Sequence, residues 1–255
     1  MRDDTLLRLR ATDAGFDREL SPDGDWLRFA AAGNLTALWI AGDGRTHLVA
    51  AGPGTVTSEV GPLYLVERTS TALPSGAAAA WRCVGDAALD TLCRRLAVLG
   101  HVLPDQPLQR FEAEVARVLA DQPGERTTER VAEVRQRVGQ QQFRDALLKY
   151  WNGQCAITGV RVPALLRASH AKPWKDATDA ERLDVHNGLL LAAHLDAAFD
   201  AGLITVLGDG TCRVSSQLDA TARRVLALES HTPRVSLRPA HEPYLAWHRT
   251  NVFEP

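Results

Sequence analysis

His170 stands in the segment Ala168-Ser169-His170-Ala171-Lys172-Pro173-Trp174, and histidine, with an ordinary pKa of about 6.5, suits the task of taking a proton from water near neutral pH. Downstream come Asn187-Gly188, His194, Asp196 and Asp200. The two aspartates lie four residues apart in a stretch where Leu195, Ala198 and Phe199 share a helical face. Oxygen and imidazole donors of this kind suit a divalent cation. Plainer readings compete: Asn before Gly is a common turn former, and aspartates at helical spacing can simply face solvent. The three lysines, Lys149, Lys172 and Lys175, fall within one short stretch. With Arg167 and Arg182, Lys172 and Lys175 are candidates to neutralise phosphates, whereas Trp174 reads as a packing residue. His241 and His248 read as structural.

The order Cys155-Ala156-Ile157-Thr158-Gly159, Ser169-His170-Ala171-Lys172-Pro173-Trp174, Asn187-Gly188-Leu189-Leu190-Leu191 and Phe199-Asp200 resembles the HNH endonuclease family. The likeness spans about residues 142–252, including the closing Tyr244-Leu245-Ala246-Trp247-His248. It implies a ββα-metal fold in which His170 is the general base. It also implies that Asn187 orients the base loop or helps to hold a metal, and that Asp196 occupies the final histidine position. Ser169 stands where many members carry a metal-binding Asp or His, so the implied ion would lean on Asp196, Asn187, His194, Ser169 or Asp200 and on water. Mg, Mn, Ni and Zn all remain candidates. The implied activity is metal-dependent hydrolysis of DNA, double-stranded and plain or modified, in restriction or phage defence. The alternative is a DNA-binding module whose degenerate HNH domain no longer cuts. Cutting both strands with one active site per chain favours a homodimer, though sequential nicking by a monomer serves equally.

These residues need a scaffold, and the chain supplies the material for one: 255 residues, 45% hydrophobic and 24% charged, ordinary globular usage. A net charge of −2 excludes a basic nucleic-acid coat. Cys83, Cys93, Cys155 and Cys212 lack close CxxC spacing and read as buried thiols. No apolar run reaches membrane-spanning length, and Met1-Arg2-Asp3-Asp4 does not begin a signal peptide, so the expected location is the cytoplasm.

The expected fold class is α+β, in three parts: a small α+β unit at 1–103, a helical connector at 104–141, and the nuclease domain at 142–255. Strands are expected at 26–29, 35–40, 47–50 and 63–66, with Gly42-Asp43-Gly44 as a hairpin turn. A helix over 86–99 is ended by Gly100, and Ala77 to Ala80 read as low complexity. The boundary Pro104-Asp105-Gln106-Pro107 opens the connector, and Gln122-Pro123-Gly124 breaks it. Thr127 or Thr128 caps a helix that runs toward Trp151 and stops at Asn152-Gly153. A hairpin is expected around Gly208-Asp209-Gly210, then a helix over 218–228 capped by Ser216. By family analogy the first unit would choose the target. Trp26, Trp39, Trp81 and Tyr64 could line a pocket for a flipped base there, although core packing is the stronger reading.

Overall fold

A computed structural model describes residues 4–42, 45–103, 107–121, 127–228 and 234–255. The fold is α+β, in two units, 1–106 and 107–255. Asp43, Gly44, residues 104–106 and the expected break at Gln122-Pro123-Gly124 lie outside the described residues.

The first unit runs α1 (Asp4–Asp13), β1 (Arg18–Asp23), β2 (Trp26–Ala30), β3 (Ala37–Gly42), β4 (Thr46–Gly52), α2 (Gly54–Thr57), β5 (Val66–Thr69), β6 (Ala79–Val84) and α3 (Asp86–Val102). The strands form one antiparallel sheet in the order β1-β2-β3-β4-β6-β5. Helix α3 buries Leu89, Leu92, Cys93, Leu96 and Leu99 and packs on β4 and β6.

Several elements differ from the sequence reading. The strand expected at 63–66 is replaced by β5, which begins at Val66, where the expected one ended. Strand β1 was not expected, because its polar, mostly exposed residues carry no apolar alternation. Strand β6 was hidden in the alanine-rich patch: Ala79 and Ala80 lie buried beside Ala51 and Ala50 of β4. The aromatic pocket does not form. Trp39 pairs with Ala50 and Trp81 with Val49, and since neighbours on β4 point to opposite faces, so do the two indoles. Both are buried, whereas Tyr64 is 85% exposed.

Gly100 does not end α3, which continues to Val102. The glycine is there for close approach: a Cβ would lie 1.9 Å from Asn34 Oδ1 and 2.2 Å from Thr36 Oγ1. Asn34 Nδ2 donates to Ala97 O at 2.9 Å, and Thr36 Oγ1 to Leu96 O at 3.2 Å, tying the strand approach to the helix. Gly100→Ala is therefore expected to lower stability by roughly 1–3 kcal/mol through displaced side chains and lost hydrogen bonds. A wild-type urea midpoint for that variant would show that the helix can shift freely.

The second unit runs α4 (Pro107–Asp121), α5 (Thr128–Tyr150), β7 (Leu166–His170), α6 (Asp179–Leu183), β8 (Gly188–Ala192), α7 (Ala193–Asp200), β9 (Ile204–Val206), β10 (Cys212–Val214), α8 (Ala220–Val225) and α9 (Glu242–Asn251). Thr127 caps α5 by accepting from Arg130 N, and Asn152 and Gly153, both at positive φ, turn the chain away at its end. The boundary expected at 141/142 falls inside this continuous helix. Phe111 and Val115 of α4, Val134 and Val138 of α5, and Leu183 of α6 make one core cluster. The two helices thus pack with the rest of the second unit as part of its body. The penultimate helix, α8, is shorter than expected and is capped by Asp219, whose Oδ1 accepts from Ala222 N, instead of by Ser216.

Candidate active site

Strands β7 and β8 pair antiparallel, with His170 opposite Gly188 and Ser169 opposite Leu189, and α7 follows β8 without a break and packs on β7. Behind them lies α5. A Cβ on Gly188 would lie 2.4 Å from Phe143 Cζ, so only glycine lets the helix come this close. Phe143 in turn stacks on the His170 imidazole, with centroids 3.7 Å apart and planes 11° from parallel.

His170 Nε2 lies 2.9 Å from the carbonyl oxygen of Arg182. A carbonyl can only accept, so Nε2 carries the proton and Nδ1 keeps its lone pair. Burial, reinforced by the positive charge of Arg182, pushes the imidazole pKa down to about 4. The ring is thus neutral at physiological pH and available as a base. It lines a cleft of about 380 Å³ together with Gln140, Ser169, Trp174, Asp200 and His248.

The Arg182 carbonyl is held in place by the loop that carries it. Asn187, fully buried, accepts from Lys172 N at 2.8 Å and donates from Nδ2 to Lys172 O at 3.1 Å and Glu181 O at 2.9 Å. Its amide is engaged by the loop on both its oxygen and its nitrogen, which makes it a clamp on the turn that carries the Arg182 carbonyl. Asp184 holds the adjoining turn: Oδ1 accepts from His186 N and faces His186 Nδ1, each at 2.9 Å, and Oδ2 accepts from Tyr244 at 2.8 Å. The sequence reading missed this support; its only trace was Tyr244 in the closing pattern.

The four expected phosphate contacts divide into two pairs. Lys172 Nζ reaches both Glu181 oxygens at 2.7 and 2.8 Å, and Arg182 binds Asp179 Oδ1 and Trp174 O while lying over the Trp174 ring. These two cations serve the loop, because folding gives them fixed internal partners. Arg167 and Lys175 are exposed, Arg167 Nη1 donating to the Ala164 and Leu166 carbonyls at 3.1 and 3.0 Å. Trp174 is a packing residue: a Cβ on Gly139 would lie 2.3 Å from its ring.

Of the expected metal ligands, Asp196 faces the base strand and accepts a hydrogen bond from the Ser169 hydroxyl. Ser169 thereby orients a carboxylate. His194 is exposed, and residues two apart on a helix do not share a face, so it stands away from Asp196. Asp200, left undecided by the sequence, lines the cleft. Loss of solvent around its carboxyl and the nearby charge of Asp196 raise its pKa to about 6. Among the described residues no three His, Cys, Asp or Glu side chains converge as a ready-made metal cage.

His248 of α9, which also lines the cleft, packs against α7. It stacks on Phe199, and its nitrogens meet Thr205 Oγ1 at 2.9 Å and Phe199 O at 3.1 Å. Burial lowers its pKa to about 4 as well. Cys155 Sγ accepts from Ala192 N at 3.3 Å and is a core thiol.

The two depressed histidines give stability a pH dependence. The unfolded chain protonates them near 6.5 and the native state only near 4, so between these values the unfolded state binds more protons. Stability is then full above about 6.5 and falls as pH drops toward 4, by on the order of 3 kcal/mol per histidine at most. Urea midpoints between pH 7.5 and 4.5 should fall, and less steeply in His170→Gln. Equal slopes for the two proteins would contradict the burial of this imidazole.

Strand, strand and helix thus place a neutral imidazole near the Asp196 and Asp200 carboxyls in a ββα unit. Residues 155–207 match the family model described as HNH endonuclease, and this segment is a domain of the HNH endonuclease family. Such a domain implies nuclease action on nucleic acid. No curated protein matches the chain.

Proposed function

We propose that the protein is a metal-dependent DNA endonuclease in which His170 Nδ1 takes the proton of the attacking water. The observation that carries this reading is the 2.9 Å contact of Nε2 with a carbonyl oxygen, which directs the basic lone pair to the other nitrogen of a neutral ring. Gln140 and Asp200 line the cleft beside it, and the Phe143 stack keeps the ring from turning.

The carboxylates of Asp196 and Asp200 fit a divalent cation. Two neighbouring carboxyls, Asp200 with its pKa raised first by loss of solvent and then by the charge of Asp196, form a site that a cation would relieve, and magnesium needs only one or two carboxylates plus water. An all-oxygen donor set favours Mg²⁺ or Mn²⁺ over Ni²⁺ or Zn²⁺. When bound, the ion would supply stabilisation of charge on the non-bridging and leaving oxygens of the phosphodiester. Exposed Arg167 and Lys175 are suited to backbone phosphates, which bring affinity without sequence choice. Restriction or phage defence is the setting we favour, with target choice assigned to the first unit, which has its own sheet and core apart from these residues.

Purified protein should nick or linearise supercoiled DNA in Mg²⁺ or Mn²⁺ and stop when EDTA is added, as read on agarose gels. Salt-sensitive retention of DNA with no cutting in any metal would instead make the domain a binding module.

A further inference from the structure

Four alternating charges run from the first helix of the second unit to the loop that orients the base. Glu112 of α4 accepts from Arg135 of α5 through both oxygens, at 2.7 and 3.0 Å. Arg135 Nη2 also reaches Asp179 Oδ2 of α6 at 2.7 Å, and Asp179 Oδ1 accepts from Arg182 Nη1 at 2.7 Å. Arg182 Nε donates to Trp174 O at 2.8 Å, and the carbonyl of this same arginine receives His170 Nε2. The guanidiniums are also held in plane: Arg135 lies 4.8 Å over the Phe111 ring and Arg182 4.8 Å over Trp174.

Half-exposed ion pairs add little stability when isolated. Here the energy matters less than the geometry. Arg135 contacts two carboxylates on different helices at once, and its planar fork fixes their separation in a way a flexible ammonium cannot. Asp179 spends one oxygen on each arginine, so a displacement at Arg135 passes to Arg182 without a slack joint.

We infer that Arg135, which lies outside the segment matched to the family, is a positioning residue for the base: through Asp179 it fixes the Arg182 carbonyl that selects the proton-bearing nitrogen of His170. Helix α4, first in chain order after the N-terminal unit, enters the same array through Glu112, so the array is a route by which the state of α4 can reach the base. This inference rests on the proposed role of His170, and its test includes a readout independent of cleavage.

The test uses the full chain with ¹⁵N-labelled histidine, the His170 signals being identified by their loss in His170→Gln. Wild type should show His170 as a single Nε2–H tautomer, and Arg135→Met a mixture of tautomers. In cleavage assays Arg135→Met should lower kcat about tenfold, the scale expected of a sub-ångström misplacement, with KM unchanged. Asp179→Asn should do the same, and the double variant should lose no more than either single one. A folded Arg135→Met protein with the wild-type tautomer and kcat overturns the inference, and Asp179→Asn decides if Arg135→Met fails to fold. If wild type cuts no DNA, the proposed function fails, and the tautomer spectra still decide whether Arg135 sets the imidazole.

Discussion

His170→Ala should lower the rate of DNA cleavage by roughly 10²- to 10⁴-fold, the range that a positioned general base contributes. The expectation follows from the ring having one nitrogen committed to the Arg182 carbonyl and the other free to receive a proton, in a cleft that also presents Asp200. The alanine also leaves a gap against Phe143, so a modest loss of stability should accompany it. Single-turnover cleavage measured beside a thermal melt separates the two effects. A folded variant that cleaves at the wild-type rate would remove His170 from the chemistry and leave the bound cation alone to activate water.

Asn187→Ala should be the most damaging single change to stability in the second unit. It deletes three side-chain hydrogen bonds and strands Lys172 N–H, Lys172 C=O and Glu181 C=O around a fully buried position. At about 1–3 kcal/mol for each unsatisfied buried group, and with incomplete additivity, a loss of roughly 3–5 kcal/mol is expected. Asn187→Asp discriminates between packing and hydrogen bonding, because it is isosteric yet sets a carboxylate oxygen against two carbonyl oxygens. It should be at least as destabilising as the alanine. Urea unfolding gives the stability, and kcat should fall with it because the Arg182 carbonyl shares the clamped loop. An aspartate variant of wild-type stability would mean that the loop is held by its ion pairs and not by this amide.

The elements of the site were legible where local patterning is strong. The apolar run Leu189-Leu190-Leu191, the helical face of Leu195, Ala198 and Phe199, and the Asn152-Gly153 stop all express preferences set within a few residues. Strands β1 and β6 were not legible for the same reason: one is a polar edge and the other an alanine run, and both exist because neighbouring strands offer them hydrogen-bonding partners. Gly100 misled, since a glycine required for contact with Asn34 looks the same in sequence as one required for a turn.

The sequence by itself determined which histidine stands on the first strand of the ββα unit and which motif residues follow it, because four short motifs in fixed order leave little freedom in that placement. Only the tertiary structure decided what each companion does. Asn187, Lys172 and Arg182 have the chemistry to meet a metal or a phosphate, and their internal partners, Glu181, Asp179 and the loop carbonyls, take up that capacity. Helical phase relative to β7 puts Asp200 on the cleft and leaves His194 exposed. Arg135 lies well outside the motifs and acts through an ion pair 44 residues along the chain. A side chain's capacity is written in its residue type. Whether that capacity is free or already used depends on which partners folding brings within about 3 Å, and short-range sequence carries little of that information.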